Sequence, residues 1–108
     1  MFSLRNKVAL ITGSTRGIGL AIALRMAECG ARVVISSRKQ DACDEVAARI
    51  RAQGGTALAL ACNINHKEQL QQLAAQTTRQ LGSIDILVIN AALNPFFGSS
   101  QDIPDEVF

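Results

Sequence analysis

The chain has 108 residues, of which 48% are hydrophobic and 19% are charged, and its formal net charge is +2. This composition excludes an intrinsically disordered chain, and so small a charge offers no basic face to nucleic acid or to an anionic membrane. The three cysteines lack CxxC spacing and the single histidine has no clustered ligand near it, which excludes a disulfide framework and a zinc site.

The first part of the chain predicts a strand, a helix and a second strand. The apolar run before the strand end at Thr12 is too short for a signal peptide or a membrane span, and KVALIT predicts a strand buried on both faces. The helix after it has Ile18, Ile22 and Met26 at helical spacing, and Gly30 ends it. ARVVISS then predicts a second buried strand.

The remainder of the chain repeats this alternation. An amphipathic helix with Val46 and Ile50 facing inward is followed by the weaker strand TALALAC. The third helix is preceded by an exposed His66, with Asn65 as its N-cap and Glu68 at N3 in a capping-box arrangement. IDILVIN predicts a fourth buried strand, and IPDEVF the first turn of another helix.

Alternating strands and helices predict an α/β fold with right-handed crossovers, in which helices cover both faces of a doubly wound parallel sheet. The expected strand order is 3-2-1-4, with a ligand crevice where the chain reverses direction between strands 1 and 4. We expect residues 1–108 to form one such domain in a reducing cytoplasm, with Cys29 and Cys62 as small buried thiols.

The stretch ITGSTRGIG connects the first strand to the first helix and contains three glycines. Gly13 permits a sharp turn, Gly17 lets a pyrophosphate approach the backbone, and Gly19 lets the helix pack closely. The N-terminus of the following helix favours an anion, because its N–H groups have no partner within the helix. The pattern indicates a dinucleotide site; the alternative is a tight turn that binds nothing.

The spacing Thr-Gly-x-x-x-Gly-x-Gly over 12–19 resembles the cofactor loop of the short-chain dehydrogenase/reductase family. CNIN after strand 3 is similar to the family's Asp and small apolar pair, with Asn63 in place of Asp. INAA after strand 4 is similar to its Asn-Asn-Ala-Gly, with Ile89 and Ala92 as departures. The cofactor-binding residues that the motifs and this resemblance imply are Gly13, Ser14, Thr15, Arg16, Gly17, Ile18, Gly19, Ser37, Arg38, Asn63, Ile64, Asn90, Ala91 and Ala92.

The choice of cofactor depends on the residues after strand 2. An acid there would bind the ribose 2′-hydroxyl of NAD, but this sequence has Ser37 followed by Arg38. Arg16 projects from the glycine loop towards the same ribose, and two guanidinium groups suit a phosphate monoester. We therefore expect NADP(H) rather than NAD(H), against the alternative that both arginines are solvated surface charges.

The chain contains no tyrosine, whereas the resembled family uses a Ser-Tyr-Lys set for proton transfer. The resemblance therefore implies an N-terminal, cofactor-binding half, inactive alone and with strand 4 as an artificial edge, and no residue of this chain is expected to be catalytic. The complete enzyme would transfer a hydride between NADP(H) and a carbonyl or alcohol substrate. SSRKQ and NAALNPFFG are similar to the NADPH-dependent carbonyl/retinal (dicarbonyl) reductases, and a homo-oligomer, a tetramer, is implied. The rival hypothesis is a non-enzymatic NADP-binding module.

The loop after strand 4 holds Asn94, Phe96 and Phe97, beyond the carboxyl end of a strand beside the crevice. Substrates of open α/β sheets bind at such positions. One of the two phenylalanines is expected to wall the nicotinamide side of the pocket, and ordinary loop packing is the alternative.

Overall fold

The computed structural model describes residues 3–90, which form one parallel sheet with helices on both faces. The elements are β1 (Val8–Thr12), α1 (Gly17–Glu28), β2 (Arg32–Ser36), α2 (Gln40–Ala52), β3 (Thr56–Ala59), α3 (Lys67–Leu81) and β4 (Ile86–Val88). The strands lie in the order β3-β2-β1-β4, and every neighbouring pair is parallel. The predicted fold class and strand order are therefore confirmed.

The two central strands, β1 and β2, form the core, because helices cover both of their faces. Ala9 and Ile11 belong to one cluster of buried side chains, which includes residues of α1 and α2. Leu10 and Val34 belong to a second cluster on the opposite face, together with Leu73 of α3. Burying a side chain of this size contributes about 1.5–3 kcal/mol, so the continuous apolar runs stabilise a sheet covered on both sides.

Helix α1 packs through a different stripe from the one that its large apolar residues predict. Its buried residues are Gly19 and Ala23, one turn apart, and Ile22 packs only partly against the core. Ile18 is 70% exposed, so the large apolar residues at helical spacing do not share one buried face. The small residues face the sheet because they let the helix backbone approach closely, which turns Ile18 away from it.

Helix α3 begins without the predicted capping box. His66 is the N-cap residue, is exposed as expected, and makes no side-chain cap hydrogen bond. The backbone N–H of Asn65 instead donates to Oδ1 of Asn63 over 3.0 Å, and the N–H of His66 donates to the Asn63 carbonyl oxygen. This local turn centred on Asn63 competes with the cap and delays the helix start, so the prediction that Asn65 is the N-cap is wrong.

Strand β4 lies at one edge of the described sheet and is less buried than its sequence predicts. Leu87 is 55% exposed and Ile89 is 51% exposed. Both extend the face that carries Leu10, because Leu87 pairs with Leu10 across the sheet. Helix α3 packs over β1 and β2, and nothing else in residues 3–90 covers this part of the sheet. Burial of β4 on both faces is therefore wrong for the described chain.

The cysteines are only partly as predicted. Cys62 is buried, whereas Cys29 at the end of α1 is half-buried, and Cys43 of α2 is the most deeply buried of the three. Within residues 3–90 no helix is long and apolar enough to cross a bilayer. The predicted helix turn at IPDEVF lies outside the described residues.

Candidate functional site

A groove of about 520 Å³ lies at the carboxyl ends of the strands, where the order reverses between β1 and β4. This is the switch point at which open α/β sheets bind ligands. Its walls come from the ends of β1 and β2, the start of α2, the loop after β3 and the end of β4. The lining residues are Thr12, Gly13, Thr15, Arg16, Ser36, Ser37, Arg38, Lys39, Ala42, Cys62, Asn63, Ile64, Asn65 and Asn90.

Two glycines give the loop after β1 its shape. Gly13 has φ +61° and Gly17 has φ +63°, a region that residues with a side chain rarely adopt. A Cβ at Gly13 would overlap the carbonyl oxygen of Asn90, so the loop lies directly against the end of β4. A Cβ at Gly17 would meet nothing within 4 Å. The first turn of α1 therefore presents its N–H groups with open space beside Gly17.

Ser14 anchors this loop to the end of β2. Its side chain is fully buried, and Oγ accepts the N–H of Ser36 over 2.9 Å and donates to the Ser36 carbonyl oxygen over 3.3 Å. The N–H of Ser14 donates to that same carbonyl oxygen. Ser14 thus shapes the groove from behind, because its hydroxyl is already committed to backbone groups.

Asn90 ties the end of β4 to the same loop. Its Nδ2 donates to the carbonyl oxygen of Gly13 over 3.1 Å, and its backbone N–H donates to Oγ1 of Thr12 over 3.0 Å. Gly19 packs beneath this link, because a Cβ there would overlap the Gly13 carbonyl and press against Asn90 Nδ2. The expected close packing at Gly19 is therefore against the loop and Asn90.

One end of the groove is basic. Arg16 is the exposed N-cap residue of α1, and Arg38 and Lys39 follow the end of β2. Among the described residues none of these three cations forms an ion pair, and no aspartate or glutamate lines the groove. A groove with three cations and no carboxylate attracts an anion.

Ser37 sits beneath this basic end, with its hydroxyl facing the start of α2. Its Oγ accepts the backbone N–H of Lys39 over 3.2 Å and lies 3.3 Å from Sγ of Cys43. These contacts hold the Ser37 side chain in place. Ser37 occupies the position at which an aspartate or glutamate would bind the ribose 2′-hydroxyl of NAD. Because serine is uncharged, it places no negative charge beside the ribose.

Another wall of the groove, next to the end of β2, is formed by the loop after β3. Helix α3 supports this loop, because the N–H of Asn63 donates to Oε1 of Gln69 over 2.9 Å. The N–H of Cys62 donates to the carbonyl oxygen of Ser37 over 2.8 Å, which holds the loop against β2. Burial raises the pKa of the Cys62 thiol, so this wall stays neutral at physiological pH.

A family model described as short chain dehydrogenase matches residues 7–108, almost the whole chain. The chain belongs to the short-chain dehydrogenase family. The human protein named dehydrogenase/reductase SDR family member 4 is 49% identical over 105 residues, which cover 97% of this chain and 38% of that protein. The human protein named dehydrogenase/reductase SDR family member 2, mitochondrial, is 41% identical over 105 residues, which cover 97% of this chain and 38% of that protein. The chain therefore spans about two-fifths of the length of these relatives.

Several solved structures share the fold of this chain. A hydroxysteroid dehydrogenase from Escherichia coli superposes with a TM-score of 0.82 at 41% identity, covering 94% of this chain and 40% of that one. The Pseudomonas aeruginosa RhlG/NADP active-site complex has a TM-score of 0.79 at 37% identity, covering 93% and 40%. A metagenomic short-chain oxidoreductase in complex with NADP has a TM-score of 0.74 at 37% identity, covering 78% and 38%.

The short-chain dehydrogenase fold brings most of the implied site residues to one groove. Those that line it are Gly13, Thr15, Arg16, Ser37, Arg38, Asn63, Ile64 and Asn90. Ser14, Gly17, Ile18 and Gly19 are not among the lining residues but belong to the loop and helix turn beside it. Ala91 and Ala92, with Phe96 and Phe97, lie outside the described residues.

Sequence reasoning missed several lining residues. Lys39, Ala42 and Asn65 line the groove from the start of α2 and the loop before α3. The position of Lys39 shortly after the end of β2 was a usable signal, since carboxyl ends of parallel strands meet at one edge. No sequence signal marks Ser36, because the last residue of a buried strand is expected to belong to the core. Among residues 3–90 no cluster of His, Cys, Asp and Glu could hold a metal ion.

Proposed function

We propose that this chain is the NADP(H)-binding N-terminal part of an oxidoreductase that transfers a hydride between the cofactor and a carbonyl or secondary alcohol substrate. The observation that supports the cofactor choice is that Arg16, Arg38 and Ser37 together line one groove. A 2′-phosphate would gain two forked, charged donors there, and no carboxylate in the lining would repel it.

The residues of the groove also fit the pyrophosphate and the adenine of a dinucleotide. Gly17 leaves open space beside the first turn of α1, where N–H groups without helical partners favour a pyrophosphate. Asn63 and Ile64 line the same groove beside the end of β2, where an adenine ring would lie next to the 2′-phosphate. The Asn63 amide lacks the charge of the family's usual Asp but keeps a polar group beside the adenine.

In this proposal the chain binds and orients, and the bound cofactor supplies the hydride chemistry. Arg16 and Arg38 hold the 2′-phosphate, the α1 turn holds the pyrophosphate, and Asn90 holds the loop between them in shape. No described residue is assigned a proton-transfer role. The family's Ser-Tyr-Lys set is proposed to lie in the part of the protein that follows these 108 residues.

The substrate class is proposed from the resemblance to dicarbonyl reductases and from the identity to SDR family member 4. A homo-oligomer, a tetramer, is proposed from the resemblance, and a reducing cytoplasm is proposed from the cysteines, which lack CxxC spacing. Ala91 and Ala92 are proposed to continue the cofactor contacts after Asn90. One of Phe96 and Phe97 is proposed to wall the substrate side.

The deciding experiment is titration calorimetry of the complete protein with NADPH and NADH, followed by turnover assays with aromatic and aliphatic ketones. We expect tighter binding of NADPH than of NADH, and turnover with NADPH. Binding of neither nucleotide would overturn the proposal. Tight NADPH binding with no turnover of any carbonyl or alcohol would favour the rival, a non-enzymatic NADP-binding module.

A further inference from the structure

Ser36 carries the least satisfied hydroxyl in the groove. The residue is 1% exposed, and its Oγ has no hydrogen-bond partner among residues 3–90. A buried polar group without a partner costs free energy, because it has lost its hydrogen bonds to water. The same site would accommodate alanine without that cost, so the unpartnered hydroxyl needs an explanation.

The position of Ser36 indicates what could satisfy the hydroxyl. Ser36 is the last residue of β2 and pairs in register with Thr12 at the end of β1, and both line the groove. Its side chain lies on the same sheet face as Val34, because alternate strand residues share a face. That face leads to Cys62 and the loop that carries Asn63.

The backbone of Ser36 is already fully engaged. Its N–H donates to Ser14 Oγ, and its carbonyl oxygen accepts from both the N–H and the hydroxyl of Ser14. These bonds hold the Ser36 backbone in place with or without a ligand. The Oγ of Ser36 is closed to solvent in this structure, so a rotation of its side chain would bring it to a ligand in the groove.

We infer that Ser36 is a binding residue whose hydroxyl turns towards the groove and forms its hydrogen bond only when the adenosine half of a dinucleotide fills it, directly or through one ordered water. This inference rests on the proposed function. It makes Ser36 a contact for the part of the ligand that NADPH and NADH share. Substitution should therefore weaken both nucleotides without changing the preference between them.

Ser14 provides a matched control, because it is a second fully buried serine in contact with Ser36 whose hydroxyl is already satisfied. In the complete protein without added nucleotide, Ser36→Ala should leave the Tm unchanged or raise it, whereas Ser14→Ala should lower it. The expected opposite behaviour of two adjacent buried serines separates an unpartnered hydroxyl from a structural one.

The binding measurement uses calorimetry with NADPH, NADH, ADP-ribose and nicotinamide mononucleotide. Ser36→Ala should weaken the first three by a similar factor, about two- to tenfold, the range of one net hydrogen bond. It should leave nicotinamide mononucleotide unchanged. Unchanged ADP-ribose affinity, or a Tm lowered as much as by Ser14→Ala, would overturn the inference. Failure of the wild type to bind any dinucleotide would instead overturn the proposed function.

Discussion

The side-chain nitrogen Nδ2 of Asn90 donates to the carbonyl oxygen of Gly13 over 3.1 Å, joining the end of β4 to the loop after β1. The two residues lie 77 positions apart in the chain. Gly13 adopts φ +61° at this contact, and its missing side chain leaves room for the Asn90 carbonyl. The conformation of the proposed phosphate loop therefore depends on the last described residue of the sheet.

Substitution of Asn90 should affect stability and cofactor binding together. Asn90→Ala removes the donor to Gly13 and should cost about 0.5–1.5 kcal/mol of unfolding free energy. Asn90→Asp should cost more, because a carboxylate oxygen would face the Gly13 carbonyl, acceptor against acceptor. Denaturant unfolding and NADPH titration of both variants provide the test. Equal stability of the Asp and Ala variants would contradict the assigned contact.

The open space beside Gly17 can be tested against a second glycine of similar geometry. Gly17 and Gly54 both have positive φ, and a Cβ at either would meet nothing within 4 Å. Replacement by alanine should therefore destabilise the protein by about 1–2 kcal/mol at each position through backbone strain. Only Gly17→Ala should also weaken NADPH, because Gly17 begins α1 beside the groove, whereas Gly54 follows the C-terminal end of α2. Equal NADPH affinity in both variants would exclude a pyrophosphate site at Gly17.

The basic wall should distinguish the two nucleotides. Arg16→Ala and Arg38→Ala should each weaken NADPH by about tenfold or more, since a charge-assisted bond contributes roughly 1.5–3 kcal/mol. NADH affinity should change little. Arg49→Ala, an exposed arginine in the last turn of α2, is the control for a general loss of positive charge. If Arg49→Ala matches the other two, the effect is long-range electrostatics and not a phosphate contact.

Exchange of Ser37 for aspartate should shift the preference towards NADH. In the Ser37→Asp variant one carboxylate oxygen can accept the Lys39 N–H that Ser37 Oγ accepts now, so the local turn should survive. The second oxygen would then repel a 2′-phosphate and accept a 2′-hydroxyl. The ratio of kcat/KM with NADPH to that with NADH measures the shift. Ser37→Asn is the uncharged control and should keep the ratio of the wild type. If Ser37→Asp also keeps that ratio, the 2′-phosphate does not bind beside residue 37.

The buried Cys62 thiol should make stability fall at alkaline pH. Its pKa is raised above its ordinary value by burial, so the unfolded chain loses this proton first as the pH rises. The unfolded state then binds fewer protons than the folded state, and stability decreases from about pH 8 upwards. Cys62→Ala should therefore lie closer to the wild type in unfolding free energy at about pH 10 than at about pH 7.5. Parallel pH profiles would show that this thiol does not contribute.

The strand order and the glycine loop were predictable, because both depend on short local patterns. Continuous apolar runs at β1 and β2 require cover on two faces, and the spacing of Gly13, Gly17 and Gly19 requires a strand before it and a helix after it. Much of the groove lining could be predicted from the loops after the strands, although Ser36, Ala42 and Asn65 were missed.

Two predictions failed, and one helix packed through a face that its apolar spacing does not indicate, because packing partners were decisive. The burial of Leu87 depends on what covers β4, which its own sequence does not encode. Ile18 turned outward because a glycine and an alanine allowed closer helix packing. The N–H of Asn65 donates to Oδ1 of Asn63, and this turn replaces the predicted cap by Asn65. The spacing of the residues alone does not decide which of these two local hydrogen-bonding arrangements forms.

The pairing of β4 with β1 has a consequence for the order of folding. Strands β1, β2 and β3 lie side by side in chain order and are joined by short crossovers, whereas β4 pairs with β1 on its other side. Asp85, just before β4, exchanges hydrogen bonds with Val8 at the start of β1. That pairing closes the longest loop in the described chain, so its entropic cost is the greatest and it should form late. The groove opens at this same junction. A nucleotide bound there would slow the departure of β4, and the dissociation of ligand and the unfolding of this edge would become one coupled kinetic event.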